Sequence, residues 1–125
     1  IPSEDKIFNL IKVWLEGKSA ILSGGESPQL SKVAGKPLVK IVNDQREEDK
    51  SRGELQIINA NIESLQIKDQ TNKRIAVIVE LSYKDQRKKE SGELISETTI
   101  PSLTVKYILV RKKEQWKLVD FSSGI

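Results

Sequence analysis

The sequence contains no histidine, cysteine or methionine among its 125 residues. The absence of cysteine excludes disulfides, thiol nucleophiles and zinc–thiolate sites. Without histidine, general acid–base catalysis would depend on carboxylate, lysine or tyrosine side chains. Glycine-rich phosphate-binding motifs and the nucleophile-elbow motif are also missing, and no two acidic residues have the spacing of a glycosidase or metal site. We therefore expect a binding domain and not an enzyme, with no catalytic residues, no cofactor and no metal.

An excess of one charge and long apolar runs are missing too. The 21 basic and 18 acidic residues are mixed along the chain and give a net charge of +3. This favours no nucleic-acid partner, which would call for a one-sided basic patch with stacking aromatics. No apolar run approaches the ~20 residues of a membrane span, so we expect no direct membrane insertion by this segment. We expect residues 1–125 to form a single domain excised from a longer protein.

The hydrophobic period changes once, at Gly53, from helical spacing to strand alternation. The first helix has Ser3 as its predicted N-cap and should stop at Gly24 and Gly25. Its predicted inner face consists of Ile7, Leu10, Ile11, Trp14, Ile21 and Leu22. A second, short helix should begin at Ser27-Pro28, because a capping hydroxyl followed by proline is typical of a helix start.

Pro37 should open a third helix, with Leu38, Ile41 and Val42 pointing inward. Its charged tail, residues 45–52, is interpreted as solvated, with a basic-acidic docking surface as the alternative. Strands follow, and the alternation shifts near Glu63, which predicts a β-bulge.

The later strands are separated by three predicted connections. We expect a turn at residues 69–73, a protruding hairpin loop at residues 86–93 and a tight turn at residues 112–115. The third strand should begin at or after Pro101, which cannot donate a ladder hydrogen bond. On the last strand, Trp116 and Leu118 should face inward, with Val119 and Phe121 on the other face. Three helices followed by four antiparallel strands indicate an α+β fold with a curved sheet and a cavity at its mouth.

Glu80 is the strongest candidate for a functional carboxylate, because it lies mid-strand among apolar neighbours, where an unpaired charge would be costly. The simplest interpretation is a solvent-facing ion pair with Lys106 on a neighbouring strand. Trp14 is predicted to lie in the core. Trp116 follows a turn and is a candidate for a binding surface.

Six short motifs, taken in order, resemble a known family across about Phe8 to Phe121. They are Trp14-x-x-x-Lys18 followed by Ala20, Gly35-Lys36-Pro37-Leu38, Ile62-x-x-Leu65-x-Ile67, Arg74-Ile75-Ala76-Val77 with Glu80 after it, Val105-Lys106-Tyr107-x-Leu109, and Trp116-Lys117-Leu118. The chain resembles the C-terminal, intermembrane-space type domain of the accumulation-and-replication-of-chloroplasts plastid-division proteins and their cyanobacterial ZipN-like cell-division relatives. It departs from the family at Leu55 and Leu103, where relatives carry aromatics, and at Pro101.

The resemblance implies a nuclear-transport-factor-2-like cone of about three helices against a curved four-stranded antiparallel sheet. It also implies a non-enzymatic domain of a membrane-anchored division scaffold, anchored by a segment outside this chain and located in the periplasm or intermembrane space. A cytoplasmic location is the alternative. The implied partner is a protein or peptide tail of another division protein.

We predict Lys106, Tyr107 and Trp116 as partner-binding residues, in a groove where the helices meet the end of the sheet. Two alternatives stay open. One is a small-ligand-binding or enzymatic domain with a cavity near Glu80 and Tyr107. The other is a homodimer formed through the open sheet face, supported if Ile78, Ile108 and Val110 are exposed there.

Overall fold

The computed structural model describes residues 1–123, and these form three helices followed by one antiparallel sheet with the strand order β1-β2-β3-β4. The α+β prediction is confirmed. The elements are α1 (Glu4–Leu22), α2 (Leu30–Val33), α3 (Lys36–Ser51), β1 (Glu54–Gln70), β2 (Arg74–Lys89), β3 (Leu94–Lys112) and β4 (Gln115–Ser123). The helices pack on one face of the sheet, here called the inner face, and the opposite face is the outer face.

Helix α1 begins and ends as predicted. The Ser3 hydroxyl accepts a hydrogen bond from the Lys6 N–H at 3.2 Å, which satisfies one of the free amides of the first turn. The helix ends before Gly24, whose φ of +96° suits glycine. Its buried stripe contains Trp14, which is 2% exposed, so the predicted core position of this residue is confirmed.

Two helical predictions are wrong in detail. Helix α2 begins at Leu30 and not at Pro28, because Pro28 and Gln29 form a turn that precedes it. In α3, Leu38 and Val42 are buried but Ile41 is 59% exposed. Residues four apart share a helix face more closely than residues three apart, and the core contacts only the narrower stripe.

The tail of α3 is not fully solvated, contrary to the sequence interpretation. Asp49 is completely buried and accepts hydrogen bonds from Gln45 at 3.0 Å and Arg87 at 2.8 Å. A buried aspartate in a charged tail gives no apolar signal in the sequence, so its partner on β2 could not be read from the pattern.

The predicted bulge on β1 is confirmed by a register shift between Ile62 and Ser64, and a second shift occurs between Ile67 and Asp69. The predicted loop at residues 86–93 is wrong. Strand β2 continues to Lys89, paired with β1 and β3, and only residues 90–93 form the connection. Polar residues are compatible with these strand ends because the ends extend beyond the apolar core.

Strand β3 begins at Leu94, before Pro101 and not after it. The β2–β3 register shifts between the pairs Tyr83–Ile100 and Leu81–Leu103, so Pro101 lies in an irregular stretch. A bulge is one of the places where a sheet accepts a proline.

Strand β4 follows a two-residue turn in which Lys113 and Glu114 have φ of 50° and 64°, as the predicted tight turn requires. The β3–β4 register shifts at Val119, since Ile108 pairs with Asp120 while Leu109 pairs with Leu118. This shift turns Phe121 to the inner face. Its predicted position on the other face is therefore wrong.

Candidate functional site

A cavity lies between the helices and the inner face of the sheet. It has two parts, of about 340 Å³ and about 310 Å³, and we call them together the cone cavity. The larger part is lined by β2, β3 and β4, and the smaller part reaches α3. Five residues line both parts: Trp14, Lys18, Ile58, Tyr83 and Phe121. This placement agrees with the predicted cavity at the mouth of the cone.

Three aromatic rings form one wall of the cone cavity. The Phe121 ring centroid is 5.7 Å from that of Trp14 and 6.3 Å from that of Tyr107, both in tilted arrangements. Such pairs contribute about 0.5–1.5 kcal/mol beyond the area they bury. The shift at Val119 is needed for this wall, because it turns Phe121 toward Tyr107.

Lys18 places a positive charge at this apolar wall. It follows Trp14 by one helical turn, and its Nζ lies 5.7 Å from the Trp14 ring centroid and 5.1 Å from that of Phe121. No carboxylate among residues 1–123 is within ion-pair distance of it. Burial lowers the pKa of Lys18 below its ordinary value, because desolvation disfavours the charged amine. Cation–π contact with two rings offsets only part of that cost.

Tyr83 and Asp85 lie two residues apart on β2 and both face the larger part of the cavity. The Tyr83 hydroxyl donates a short hydrogen bond to Asp85 Oδ2. Burial, the hydrogen bond and the charge of Asp85 all raise the pKa of Tyr83. This phenol therefore remains a hydrogen-bond donor. Arg87, two residues further, lines the smaller part, and the hydrogen bond from its guanidinium to Asp49 raises its pKa.

The structure does not bring the three predicted partner-binding residues into one groove. Tyr107 is 2% exposed and lines the cone cavity. Lys106 is adjacent to it in β3 and therefore points to the outer face. Trp116 is half-buried at the start of β4, where it pairs with Arg111. Their role in binding stays a prediction, but they do not share a single site.

The predicted Glu80–Lys106 ion pair is wrong. Glu80 pairs with Thr104 in the β2–β3 register, and Lys106 pairs with Ile78. The Glu80 carboxylate accepts hydrogen bonds from the hydroxyls of Thr104 and Ser102, which lower its pKa. Glu80 lies on the outer face, so it cannot serve the cavity that contains Tyr107.

In the sequence, Lys18 stands out only as part of a family motif, and nothing there indicates the Tyr83–Asp85 pair. The signal available for Lys18 was its position four residues after a core tryptophan. The structure shows no group of three candidate metal ligands in residues 1–123. None of the described helices is long and apolar enough to cross a membrane.

A wider groove of about 630 Å³ lies between α1 and β1. Its walls include the exposed polar side chains Lys12, Glu16, Asn59 and Asn61. The Ser19 hydroxyl on α1 donates a hydrogen bond to the Ile58 carbonyl on β1 at 2.7 Å. A mainly apolar pocket with a few converging polar groups is the usual form of a binding site, and the cone cavity, with Lys18 and Tyr83 at its wall, has that form. We therefore take the cone cavity as the candidate site.

The comparisons with known proteins agree with this fold. The sequence matches the family model described as ARC6-like, IMS domain, over residues 8–119. The solved intermembrane space region of the chloroplast protein ARC6 superposes with a TM-score of 0.76 at 16% identity, covering 98% of this chain and 97% of that one. A comparison with curated proteins gives no match.

Two further solved structures are similar in fold. An NTF2-like protein of unknown function from Prochlorococcus marinus has a TM-score of 0.61 at 14% identity, covering 100% of this chain and 95% of that one. A protein from Streptomyces avermitilis, named as a candidate dehydratase of the NTF2-like family, has a TM-score of 0.63 at 10% identity and coverages of 97% and 96%. The predicted nuclear-transport-factor-2-like cone is confirmed. Because the family model spans most of its length, the chain belongs to the ARC6-like IMS domain family.

Proposed function

We propose that this chain is a non-enzymatic protein-binding domain of a plastid or cyanobacterial division protein. In this proposal the cone cavity receives the C-terminal tail of a partner protein, and Lys18 binds the terminal carboxylate. The observation that supports it is a lysine without a carboxylate partner in residues 1–123, held at the wall of an apolar cavity. A carboxylate would complete a charge-assisted hydrogen bond there.

The size and lining of the cavity suit the end of a chain. Its larger part, about 340 Å³, is near the lower end of the ~300–1,000 Å³ typical of ligand pockets. Apolar side chains from β2 and β3 line it, and the Tyr83 hydroxyl lies at the same wall. An apolar last residue would bury its side chain against Leu81 and Leu103 while its carboxylate stays near Lys18.

We further propose that the domain lies in the intermembrane space or periplasm and is anchored by a segment outside this chain. Membership of the ARC6-like IMS domain family supports the location. A non-enzymatic role is supported by the chemistry of the cavity. Tyr83 has a raised pKa and is therefore a poor proton acceptor at neutral pH, and the sequence supplies no histidine.

A small ligand with an acidic group is the second candidate occupant, because Lys18 and the apolar lining would accept it equally. The homodimer alternative has less support. Ile78, Ile108 and Val110 lie on the outer face but are only partly exposed, and Lys106 is the cross-strand partner of Ile78. The apolar area that they offer to a second copy is therefore limited.

The test uses synthetic peptides that match the C-terminal tails of division proteins from the same genome. Each tail is titrated as the free acid and as the C-terminal amide. We expect the amide to bind at least about tenfold more weakly, because it lacks the charge that Lys18 attracts. Lys18→Met should cause a similar loss, whereas Lys106→Glu, on the outer face, should not.

Lys6→Met is the matched control, since Lys6 is exposed on the same helix. Equal binding of acid and amide, or wild-type affinity in Lys18→Met, would place the tail elsewhere. Competition by a small carboxylic acid and not by any tail would favour the second candidate.

A further inference from the structure

Two turns meet at one end of the sheet and carry an exposed group of basic side chains. The β1–β2 turn and the β3–β4 turn are adjacent, because the Arg111 N–H donates to the Lys73 carbonyl at 2.9 Å. We call the five basic residues there the basic tip. They are Lys73, Arg74, Arg111, Lys112 and Lys113.

The charge of the basic tip is not neutralised locally. All five side chains are exposed, and within residues 1–123 none of them is in an ion pair. Glu114 is the one acidic residue in the β3–β4 turn. Five cations and one carboxylate leave about four positive charges at this end, against +3 for the whole chain. The rest of the protein is therefore close to neutral. The fold brings together basic residues from two separate parts of the sequence, residues 73–74 and 111–113.

The shape of the basic tip selects its partner. Lys113 and Glu114 form a tight two-residue turn, and none of the five basic residues lines the cavities described above. Because a peptide usually docks in a groove or along a sheet edge, exposed cations at a tight turn suit a flat anionic partner better. Trp116 begins the next strand, pairs with Arg111 and is half-buried, with one side against the core. A tryptophan with one apolar and one wet side, beside exposed cations, is typical of a residue at a membrane interface.

We propose that the basic tip binds the headgroup surface of an anionic lipid bilayer, without insertion of any segment. Lysine and arginine near a negatively charged membrane each add a favourable electrostatic contribution that salt screens. The bound domain would present the turn end to the lipid. The cone cavity lies on the inner face beneath the helices, away from the strand turns that touch the membrane. This inference stands independently of the proposed tail binding.

The test measures binding of the whole chain to vesicles of phosphatidylcholine with about 30% phosphatidylglycerol, and to pure phosphatidylcholine, by sedimentation. We expect binding to the anionic vesicles only, and its loss when salt is raised from about 0.05 M to about 0.5 M. The double variant Lys73→Glu, Lys112→Glu should bind at least about 30-fold more weakly.

The matched control is the double variant Lys50→Glu, Lys89→Glu, which has the same net charge but changes the opposite end of the sheet. At that end the Glu90 N–H, just after β2, donates a hydrogen bond to the carbonyl of Gly53, just before β1. This control should retain binding to within about threefold. An equal loss in both variants, or equal binding to neutral vesicles, would overturn the proposal. So would binding to soluble polyglutamate with none to anionic vesicles, which would indicate an acidic protein partner instead.

Discussion

The Arg87 guanidinium donates a hydrogen bond to the buried carboxylate of Asp49 at 2.8 Å and so connects the end of α3 to β2. Asp49 has no exposed surface, whereas the side chain of Arg87 is 27% exposed. Gln45 and Arg52 also contact Asp49 Oδ1, but within residues 1–123 no group binds Oδ2. The interaction therefore depends on Arg87 for most of its charge balance.

We expect Asp49→Ala to lower the free energy of unfolding by roughly 3 kcal/mol. Removing one partner of a buried ion pair leaves the other partly desolvated with less charge compensation. Arg87 keeps the Glu54 carboxylate at 3.4 Å and can partly reach water, so the loss stays near the lower end of the range for such pairs. Denaturant melts measure the loss. Asp44→Ala is the control, because Asp44 forms an exposed i,i+4 pair with Lys40 and should cost less than about 0.5 kcal/mol. Equal effects of the two variants would contradict this account.

Trp14 should be the most costly single truncation in α1. It is 2% exposed and packs against Phe121, so Trp14→Ala leaves a large cavity and should cost about 3–5 kcal/mol. Trp116→Ala, at a half-buried site, should cost less. A loss below about 1 kcal/mol for Trp14→Ala in denaturant melts would mean that α1 does not pack on the sheet as described.

Gly17 permits the close packing of α1 on the segment before α2. A Cβ at this position would lie 2.7 Å from Ser27 Oγ and 3.0 Å from Leu30 Cδ1. Alanine in a helix normally gains about 1 kcal/mol over glycine. Here overpacking costs about 1–3 kcal/mol, so Gly17→Ala should destabilise the fold slightly. Addition of Ser27→Gly should restore stability in the melt. A stabilising Gly17→Ala would contradict the contact.

The element order and the core could be predicted from the sequence because apolar periodicity reports directly on burial. Apolar periodicity correctly predicts the burial of Trp14 and of the inner residues of β2, and it also predicts the bulge near Glu63. The errors have a common physical origin. Local periodicity predicts that Ile41 is buried, but tertiary packing leaves it exposed. Local backbone chemistry likewise predicts strand ends near Pro101 and residues 86–89, but pairing with neighbouring strands extends the strands past these positions.

The candidate site could be predicted only in part, since it depends on long-range placement. Tyr107 lines the cone cavity, whereas Lys106 belongs to the outer face, and the role of both in binding stays a prediction. Lys18 lies over the ring of Phe121. That ring faces inward only because of a register shift in β4, about 100 residues later in the sequence. The basic tip likewise exists only because two distant turns are hydrogen-bonded.

Lys18 should make stability rise with pH. Its pKa in the fold lies below the ordinary value of 10.5, so the unfolded chain binds more protons between the two values. The penalty for a buried charge is therefore present at neutral pH and is relieved as the pH approaches 10.5. Lys18→Met should be more stable than wild type at neutral pH, because it removes the desolvated charge. This gain should shrink in melts at higher pH. Lys12→Met, at an exposed position on the same helix, is the control for replacing a lysine by methionine.

The two tyrosines should resist ionisation until the chain unfolds. Burial raises the pKa of Tyr107, and burial with the Asp85 hydrogen bond raises that of Tyr83, both above the ordinary 10.0. The unfolded chain loses these protons near pH 10 while the fold retains them. The stability that they contribute is thus complete below pH 10 and is lost as the pH rises beyond it. Phenolate absorbance should stay flat through pH 10 and then rise together with the loss of circular dichroism. Asp85→Asn should let one tyrosine ionise earlier, because it removes the neighbouring charge. A gradual phenolate signal near pH 10 in a chain that keeps its native dichroism would show that the Tyr83 and Tyr107 hydroxyls are solvated, and the lining of the cone cavity would have to be revised.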